Sequence, residues 1–545
     1  MTTRRSRFGW PTPRGRPSGI TAMGFAPVGG YIEIEDTHVP PGSWVSAANM
    51  RVKDGAMRPR SRLTNVGTNR PTNDVINGIW VYNGIGGVRS TMAASQGTVG
   101  YFSQNDSWVT LTYASGTSNY PPAGVESDTW FGTSVYEPTS DLNIAVFTNS
   151  ADPMYVWEGP SVTTAFSTMT EGPIAGDVCL FDNRPVAWNI QELSAPNRYV
   201  QRVQWSVAGD PYDWNAASIG AGFEDLVDMR GEGTRIFAEE DQMILASTEE
   251  IWRGRRVGLP YVFQFSPISR DVGMPYKRAA VQCPYGIAFL SREPQVYLMQ
   301  GEQLAPIGTP IRDTLFRDLT DPWRAFMSYD PEHLTISLFY KVKDGATDYP
   351  THEMRYHIDE KVWTRHIYQT QLTAATVGTV STSGLTTWQQ LSGTISAQTG
   401  SYLDYLGSGT GHDDTFLGTS GGTVVTYSQL RAKDYGGASD DTVTAYIQTG
   451  ALFSDPWRTK YVDEIRIDNA GDSASSLSIA VSGSAGAGYG NEQEVSLSLT
   501  SNSTQHRINM GVPGDYFALR FTSDDTGFAV SRVFVRARDV GANVI

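Results

Sequence analysis

Apolar and polar residues alternate with a period of two along much of the chain, the pattern of strands that bury one face and expose the other. In LTISLFY, residues 334–340, apolar positions fall on every second residue from Leu334 to Tyr340, with Thr335 and Ser337 between them. Aromatic residues, which favour strands, are frequent, and so are glycines, which favour tight turns. We therefore predict a nearly all-β protein.

Groups of strands follow one another at nearly regular intervals. An aromatic residue lies near one end of each group, at Tyr101, Tyr155, Trp205, Trp252, Tyr297, Tyr356 and Tyr427. The intervals of 54, 50, 47, 45, 59 and 71 residues average about 54, close to the roughly 40–50 residues of a four-stranded propeller blade. We predict an irregular β-propeller over residues 76–430, with the number of blades left open. A stack of β-sandwiches would also give regularly spaced strands and remains the alternative.

Two further segments precede and interrupt the predicted propeller. Residues 1–75 are predicted to form an N-terminal basic arm and a hairpin, NMRVKDGAMRPRSR at 49–62, whose turn is Asp54-Gly55. The longest interval between aromatic positions contains a run rich in Thr, Ser and Gly. We predict an inserted, loop-rich element there, at about 368–405.

The alternation becomes most regular near the C terminus. Leu477, Ile479 and Val481 are separated by serine or alanine, and Phe517, Leu519 and Phe521 repeat the pattern. We predict a separate C-terminal β-sandwich over residues 431–545.

The charge balance limits the possible partners. The chain has 42 basic and 57 acidic residues, a net charge of −15, which disfavours a general nucleic-acid surface built from clustered Lys and Arg. The N-terminal arm differs because no acidic residue precedes Glu33. Its arginines could grip an acidic partner, or the arm could be a solvated tail. They are Arg4, Arg5, Arg7, Arg14 and Arg16.

Membrane insertion, export and disulfide formation find no support in the sequence. No run approaches the roughly 18 apolar residues of a membrane span, and the basic start continues into Pro and Arg instead of the apolar stretch of a secretion signal. Cys179 and Cys283 lie far apart in strand-like runs, so we expect both to pack as small apolar residues.

Three motifs suggest catalytic, metal or cofactor chemistry, and each departs from the required pattern. HEMRYH, residues 352–357, is one residue longer than the zincin spacing, and in a strand its two histidines point to opposite faces. GSGTGHDD, residues 407–414, lacks the flanking strand and helix of a dinucleotide site and the Lys of a phosphate loop. SQNDSWVT, residues 103–110, lacks the usual glycine of a sialidase Asp box and does not recur. We predict no metal, cofactor-binding or catalytic residue.

Paired carboxylates could form a glycosidase couple, which needs two carboxyl groups about 5–9.5 Å apart across a cleft. Neighbouring residues of a strand face opposite sides of the sheet, so adjacent carboxylates are poorly placed for this. A catalytic pair is the less favoured interpretation. The candidates are Glu239-Glu240, Glu249-Glu250 and Asp413-Asp414.

The stretch RVQWSVAGDPYDWN, residues 202–215, places Trp205 and Trp214 on opposite sides of a turn containing Asp210 and Pro211. We interpret it as a structural corner whose tryptophans clamp strands of neighbouring blades, each burying about 150–250 Å². A sugar-binding aromatic platform is the alternative.

A long stretch, DQMILASTEEIWRGRRVGLPYVFQFSPISRDVGMPYKRAAVQCPYGIAFLSREPQVYLM at residues 241–299, resembles the tail nozzle proteins of short-tailed bacteriophages. These are also called tail tubular protein B or packaged-DNA stabilisation hub proteins. NMRVKDGAMRPRSR, QWSVAGDPYDW and TTWQQL are similar to segments of that family, in the same order. The resemblance touches most of residues 40–430.

The resemblance implies a structural virion protein without enzymatic activity or cofactor, forming a sixfold ring at the distal end of the tail. Its implied partners are further copies of itself, tail adaptor or portal-complex proteins, tail fibres or tip proteins, and viral DNA that passes through the lumen without sequence-specific binding. The ring would assemble in the bacterial host cytoplasm and reside in the virion tail. An acidic lumen would repel phosphate and let DNA slide. The five arm arginines would help to dock the adaptor.

A carbohydrate-binding or carbohydrate-degrading propeller, of the tail-spike or glycosidase kind, is the alternative function. It would use aromatic platforms and paired carboxylates. A scaffold propeller of cellular origin is a third class.

Overall fold

The computed structural model describes most of the chain at the level of individual residues. The described residues are 20–33, 39–40, 42–85, 89–103, 107–114, 122–169, 171–194, 196–259, 261–343, 345–380, 412–428, 443–452, 458–471, 475–484, 489–499, 504–525 and 527–542. The chain divides into two compact units, one of residues 61–443 and one that combines residues 1–60 with 444–545.

The larger unit is a β-propeller, and the described residues form seven antiparallel blades of at least four strands each. The strands of each blade are given from the innermost outward. Blade 1 contains Gly78–Asn83, Arg89–Ala94, Val99–Phe102 and Trp108–Thr110, and blade 2 contains Phe131–Glu137, Leu142–Thr148, Tyr155–Trp157 and Ala165–Thr168. Blade 3 contains Ile174–Phe181, Arg184–Gln191, Arg198–Trp205 and Gly222–Asp225, and blade 4 contains Gly233–Ala238, Gln242–Ser247, Ile251–Arg256 and Phe263–Ser269. Blade 5 contains Ala280–Cys283, Gly286–Leu290, Val296–Gln300 and Gln303–Pro306, and blade 6 contains Phe326–Asp330, Thr335–Val342, His352–His357 and Val362–Ile367. Blade 7 contains Leu372–Val380, His412–Thr419, Val424–Ser428 and Arg62–Asn65. Short strands Thr112–Tyr113 and Leu319–Thr320 add to blades 2 and 6.

The all-β propeller prediction is confirmed, and the aromatic periodicity follows the blades. Each of the seven aromatic positions lies in the third strand of its blade, from Tyr101 in blade 1 to Tyr427 in blade 7. These residues are nine-tenths or more buried, like the apolar side chains that fill the layers between adjacent blades, with the exception of half-buried Tyr297.

The propeller is closed by a strand from far away in the sequence. Arg62–Asn65 pairs with Val424–Ser428, with Leu63 opposite Tyr427 and Asn65 opposite Val425. The predicted N-terminal segment 1–75 therefore contains the outermost strand of blade 7. The alternation of a short strand shows that it is a strand but not which distant strand it pairs with.

The predicted insertion at about 368–405 begins too early. Leu372–Val380 is the innermost strand of blade 7 and pairs with His412–Thr419. Its Thr and Gly residues, which resembled a loop, occupy strand positions beside blades 6 and 1. The remainder of the predicted insertion, 381–405, lies outside the described residues.

A short connection between blades 5 and 6 contains helical structure. The α-helix Arg312–Asp318 is preceded by the 3₁₀ turn Thr309–Ile311 and followed by the 3₁₀ turn Pro322–Arg324. No helix among the described residues is long and apolar enough to cross a membrane.

The smaller unit contains two antiparallel sheets, and each sheet includes strands from both the N-terminal and the C-terminal part of the chain. One sheet orders Trp44–Ala48, Ala445–Thr449, Tyr516–Ser523, Ser475–Ser484 and Tyr489–Leu499. The other orders Met50–Lys53, Ala56–Pro59, Val530–Ala542, Arg458–Asn469 and Thr504–Gly514, with Ile20–Phe25 also paired to Val530–Ala542. Leu477, Ile479 and Val481 are fully buried, as their alternation predicted. The β-sandwich is thus completed by residues from the predicted N-terminal hairpin.

Candidate functional site

The innermost strands of all seven blades surround a central channel with a cavity of about 370 Å³. Among its described lining residues, Asp177 is the one carboxylate, and Arg235 and Arg278 are the cations. A pair of free carboxylates, as a glycosidase would need, is therefore not present among the described residues that line this cavity.

Asp177 is held by a dense set of contacts. One carboxylate oxygen accepts from Arg235 Nε at 2.8 Å and from the Ile236 amide at 2.9 Å, and the other accepts from the Val178 amide at 2.8 Å. Burial raises the pKa of the Asp177 carboxyl, and the Arg235 guanidinium and the two amides partly oppose that effect. The Arg235 guanidinium also lies 4.1 Å from the centre of the Phe131 ring. The pair is a fixed part of the channel wall.

Arg278 is less completely paired. Its Nη1 donates to the Thr373 carbonyl at 2.8 Å, while its buried Nε has no hydrogen-bond partner among the described residues. Burial, with the nearby Arg324 guanidinium, lowers the pKa of Arg278 to about 10, so the side chain remains charged at neutral pH. Arg324 forms its own ion pair with Glu126 at 3.1 Å.

Several residues that line the cavity also contain buried polar side-chain atoms without partners in the described structure, and these atoms are not exposed to the cavity. Asn77 is 2% exposed, and neither its amide nitrogen nor its amide oxygen is hydrogen-bonded. Ser328 Oγ and Trp80 Nε1 are likewise buried and unbonded. The sequence does not single out any of these three residues, because Trp80 and Ser328 lie inside strands whose alternation predicts only burial, and Asn77 directly precedes a strand.

Two of the acidic pairs lie in blade 4 and the third lies in blade 7, and most of their carboxylates are engaged. Glu250 is buried and accepts from Arg230 Nε at 2.6 Å and from Trp252 Nε1 at 2.8 Å, while neighbouring Glu249 faces outward. Burial would raise the pKa of Glu250, but these donors hold it below its usual value.

In each of the other two pairs, the two carboxylates differ in their exposure to solvent and in their contacts. Glu239 accepts from Gln242, whereas Glu240 is exposed. Asp413 pairs with Arg89 at 2.7 Å, whereas Asp414 is buried and accepts from the Thr415 amide.

HEMRYH forms the third strand of blade 6, where Glu353 is fully buried against Arg355 at 2.6 Å and also accepts from Tyr368. His357 contacts Thr364 at 3.1 Å. Burial, with Arg365 nearby, lowers the pKa of His352 to about 4. No group of three or more potential metal-binding side chains occurs among the described residues.

The Gly-Asp-Pro corner is placed in blade 3. Trp205 packs in the layer between blades 3 and 4, where its ring meets Phe263 edge-on at 4.9 Å. Trp214 packs between blades 2 and 3 and donates to the Pro211 carbonyl at 2.9 Å. The Asp210 carboxylate accepts from the Tyr212 amide at 3.1 Å. Both tryptophans are buried, so neither offers an open sugar platform.

A groove of about 660 Å³ lies at the outer edge of blades 3 and 4. Val227 and Tyr261, 79% and 77% exposed, and half-exposed Val257 supply its apolar surface. Glu224 and Asp228 are exposed carboxylates on its wall. We call this set the blade 3–4 groove.

A protruding aromatic residue lies elsewhere on the propeller. Phe316, on the helix between blades 5 and 6, is 77% exposed. Arg312, one turn earlier, and the adjacent Arg317 are also exposed, and their ion pairs with Glu293 and Asp318 are at the surface. Phe316, Arg312 and Arg317 are called the helix knob below. The sequence feature that marks both surfaces is the presence of apolar residues in predicted connections, as in RVGLPYV. The sequence analysis did not use this feature.

The arm arginines Arg4, Arg5, Arg7, Arg14 and Arg16 lie outside the described residues. Cys179 is buried and Cys283 half-buried, both as free thiols.

Comparisons with known proteins give no family assignment. No protein-family model matches the chain, and no curated protein matches it. Among solved structures, an exo-β-1,3-galactanase from Phanerochaete chrysosporium is 7% identical with a TM-score of 0.26, covering 87% of this chain and 100% of that chain. Kluyveromyces lactis Hsv2 is 10% identical with a TM-score of 0.29, covering 54% and 98% respectively. A Bacillus subtilis glycoside hydrolase family 43 arabinoxylan arabinofuranohydrolase is 9% identical with a TM-score of 0.23, covering 90% and 95%. Similarities this weak add nothing to the seven-bladed topology given by the strand pairing, and they supply no inference about activity.

Proposed function

We propose that this chain is a structural virion protein whose copies form the distal nozzle ring of a phage tail, through which DNA is retained and then ejected. The proposal combines the sequence resemblance with one structural observation, the presence of two unlike exposed surfaces on the same propeller. The proposed partners are a tail adaptor or portal complex on one side and fibres or tip proteins on the other.

The two surfaces carry the proposal because a closed ring requires them. A head-to-tail contact joins two different patches, so each copy must present both. The blade 3–4 groove is apolar with exposed Glu224 and Asp228 at its wall. The helix knob offers Phe316 beside two arginines. We propose that the knob of one copy enters the groove of the next, with arginine facing carboxylate.

The DNA path would run between copies rather than through each propeller. The channel cavity is about 370 Å³, and Arg235 and Asp177 form an ion pair in its wall. A duplex requires a far wider passage. The lumen of the ring would then be lined by the outer surfaces of the subunits, where the net charge of −15 per chain would limit adhesion of phosphate.

The carbohydrate alternative makes a different demand on the structure. A glycosidase couple would be expected across a cleft, whereas Asp177 is already held by Arg235 and backbone amides. Of the three sequence pairs, Glu239-Glu240 and Glu249-Glu250 lie in successive turns at opposite ends of the second strand of blade 4, and Asp413-Asp414 lies in blade 7. Binding of the purified chain on a glycan array, reduced by substitutions in the channel, would favour that alternative over the nozzle.

The ring proposal is tested by disabling each surface separately. Val227→Asp should block the groove and Phe316→Asp the knob, and each should reduce assembly of the full chain, measured by native mass spectrometry and by copy number in purified particles. Ile219→Asp is the matched control because Ile219 is 84% exposed but does not line the groove.

Mixing the two variants sharpens the test. The Val227→Asp chain retains its knob and the Phe316→Asp chain retains its groove, so an equimolar mixture should form heterodimers that cannot close into a ring. Rings from either single variant, or a chain that is monomeric and absent from virions, would contradict the proposal.

A further inference from the structure

A β-bulge in the smaller unit places two neighbouring carboxylates on the same face of a sheet. The register of strand Arg458–Asn469 shifts around Asp463 against both adjacent strands, Val530–Ala542 and Thr504–Gly514. Strand alternation alone would send the side chains of Asp463 and Glu464 to opposite faces. Both carboxylates instead contact exposed arginines on one face, because the extra residue of a bulge redirects a side chain.

Three arginines converge on Glu464, one from each of the three strands. The Glu464 Oε1 atom contacts Arg466 Nε at 2.6 Å and Arg507 Nε at 2.8 Å. The Oε2 atom contacts Arg536 Nη1 at 2.9 Å. Arg466 and Arg507 are also direct cross-strand partners, and like charges in that position destabilise a sheet. The sheet therefore holds two guanidinium groups closer together than stability alone favours.

Asp463 holds a fourth arginine beside the other three. Arg536 Nε and Nη2 donate to the two Asp463 oxygens, each at 3.0 Å, and Arg538 Nε contacts one of the same oxygens at 2.9 Å. The contacts thus join two carboxylates and four guanidinium groups into one continuous set, which we call the arginine cluster. Its members are Asp463, Glu464, Arg466, Arg507, Arg536 and Arg538.

The arginine cluster carries a surplus of two positive charges. Burial would raise the pKa of the Asp463 carboxyl, but its two arginine partners hold it below the usual value. The hydrogen bond from Arg466 lowers the pKa of the Glu464 carboxyl. Both carboxyls are therefore ionised at neutral pH, against four guanidinium groups. The adjoining charges add no net charge because they form cross-strand pairs of opposite sign, Asp468 with Arg532 and Asp539 with Lys460.

The surplus charges are accessible to a ligand from solvent. The four arginine side chains are between 38% and 56% exposed, whereas the two carboxylates beneath them are buried. Arg466 and Arg507 each contact Glu464 through Nε, and their Nη groups make no hydrogen bond within the described part of the chain. Because the carboxylate already fixes these guanidinium groups, a ligand would find its donors in place and would cost less side-chain entropy.

We propose that the arginine cluster binds one oxyanion of the phosphate or sulfate class in its doubly charged form. The Nη groups of Arg466 and Arg507 would donate to the oxygens of the anion, in charge-assisted bonds about twice as strong as neutral ones. The two negative charges of the anion would match the surplus of the cluster. The site goes beyond the proposed ring function and does not depend on it, since every residue of the cluster belongs to one sheet of one chain.

The direct test is equilibrium dialysis of the full chain against radiolabelled sulfate, with the ionic strength held constant by sodium chloride. We expect saturable binding with a stoichiometry of one. Arg466→Gln removes one of the two surplus charges and a donor, so it should weaken the affinity about tenfold. Arg520→Gln is the matched control because Arg520 is an exposed arginine on the other sheet of the smaller unit, and it should leave the affinity unchanged.

A double variant removes the whole surplus while keeping both carboxylates paired. In Arg466→Gln with Arg507→Gln, Glu464 retains its contact with Arg536, and Asp463 retains both of its arginine partners. The chain should therefore fold, as checked by circular dichroism, but sulfate binding should fall below detection. Equal sulfate binding by the wild type and the double variant, or no saturable binding by the wild type, would overturn the proposal.

Competition distinguishes two sources of the oxyanion. Displacement of sulfate by a short single-stranded oligothymidylate would identify nucleic-acid phosphate as the source, and absence of displacement a free anion. Ring assembly is not read out in this experiment, so its outcome is independent of the nozzle proposal.

Discussion

The apolar layers between blades and the channel at their centre are built from the same strands, yet buried polar groups in the two regions differ in how completely they are hydrogen-bonded. Trp188, between blades 3 and 4, is fully buried and its Nε1 donates to the Ala246 carbonyl at 3.0 Å. Asn77 and Ser328 in the channel are almost as buried, but their polar side-chain atoms are unbonded in the described structure. Folding also bonds most of the polar groups in the layers that we discuss, although Trp205 Nε1, in the same layer as Trp188, has no partner among the described residues. Bonded and unbonded groups should respond differently to substitution.

The largest effect is expected in a layer. Trp188→Ala removes a fully buried indole and should lower the free energy of unfolding by about 3–5 kcal/mol, measured by urea denaturation. The matched control is Trp323→Ala, because Trp323 is 43% exposed and should cost much less. Similar losses at both positions would show that the layers do not dominate stability.

The next effect follows from a titratable group in blade 6. Burial keeps the His352 pKa at about 4 in the folded chain, below the ordinary value of about 6.5. Between these two values the unfolded chain binds more protons, so stability falls as pH decreases from about 6.5 to 4, by about 3 kcal/mol in total. His352→Gln should remove that part of the pH dependence.

The control for His352 lies in the adjacent pH range. Burial would raise the pKa of Glu137, but hydrogen bonds from Ser140 and Thr139 lower it to about 2. Its contribution is present above about 4.5 and is lost as pH falls toward 2. His352→Gln should leave that lower range unchanged; an unaltered slope between pH 6.5 and 4 would contradict the assignment.

A smaller difference separates two tryptophans of the same layer. Trp188 Nε1 donates to a carbonyl, whereas buried Trp205 Nε1 has no partner among the described residues. Trp188→Phe removes an existing hydrogen bond to the Ala246 carbonyl, which then keeps only its bond from Thr234 Oγ1 among the described side chains, whereas Trp205→Phe removes an unbonded donor. Trp188→Phe should therefore cost about 1 kcal/mol more than Trp205→Phe, measured by the same denaturation assay. Equal costs would mean that the Trp205 donor is satisfied by water.

The features of the fold that could be predicted from the sequence are those that repeat along the chain. Third strands from Tyr101 to Tyr427 carry an aromatic residue because those side chains fill the layers, so the periodicity marks every blade. The pairing of Arg62–Asn65 with Val424–Ser428 joins residues more than 350 positions apart, and nothing in either segment encodes it. The Thr and Gly content of Leu372–Val380 predicts a loop, and only the pairing with a distant strand shows that the segment is a strand.

The candidate site could not be predicted in the same way. Asn77 precedes the innermost strand of blade 1, and Arg278 precedes that of blade 5. Both residues line the same cavity only because the seven blades are arranged around it. In HEMRYH and the acidic pairs, most polar side chains bond to neighbouring residues of the same blade. The sequence motifs that resemble catalytic or metal sites therefore consist mainly of residues that stabilise blades.

The smallest effect should arise in the channel. Ser328→Ala removes a buried hydroxyl that has no partner among the described residues, so stability should change by less than about 0.5 kcal/mol, or rise slightly. Thr148→Val is the contrasting control, since Thr148 is equally buried and its hydroxyl donates to the Ala175 carbonyl at 2.6 Å. That substitution should cost about 1 kcal/mol or more because it removes this bond and also the oxygen that accepts from the Ser150 amide at 3.2 Å. A loss at Ser328 as large as that at Thr148 would mean that the Ser328 hydroxyl is hydrogen-bonded in solution, and the contrast between the two regions would fail.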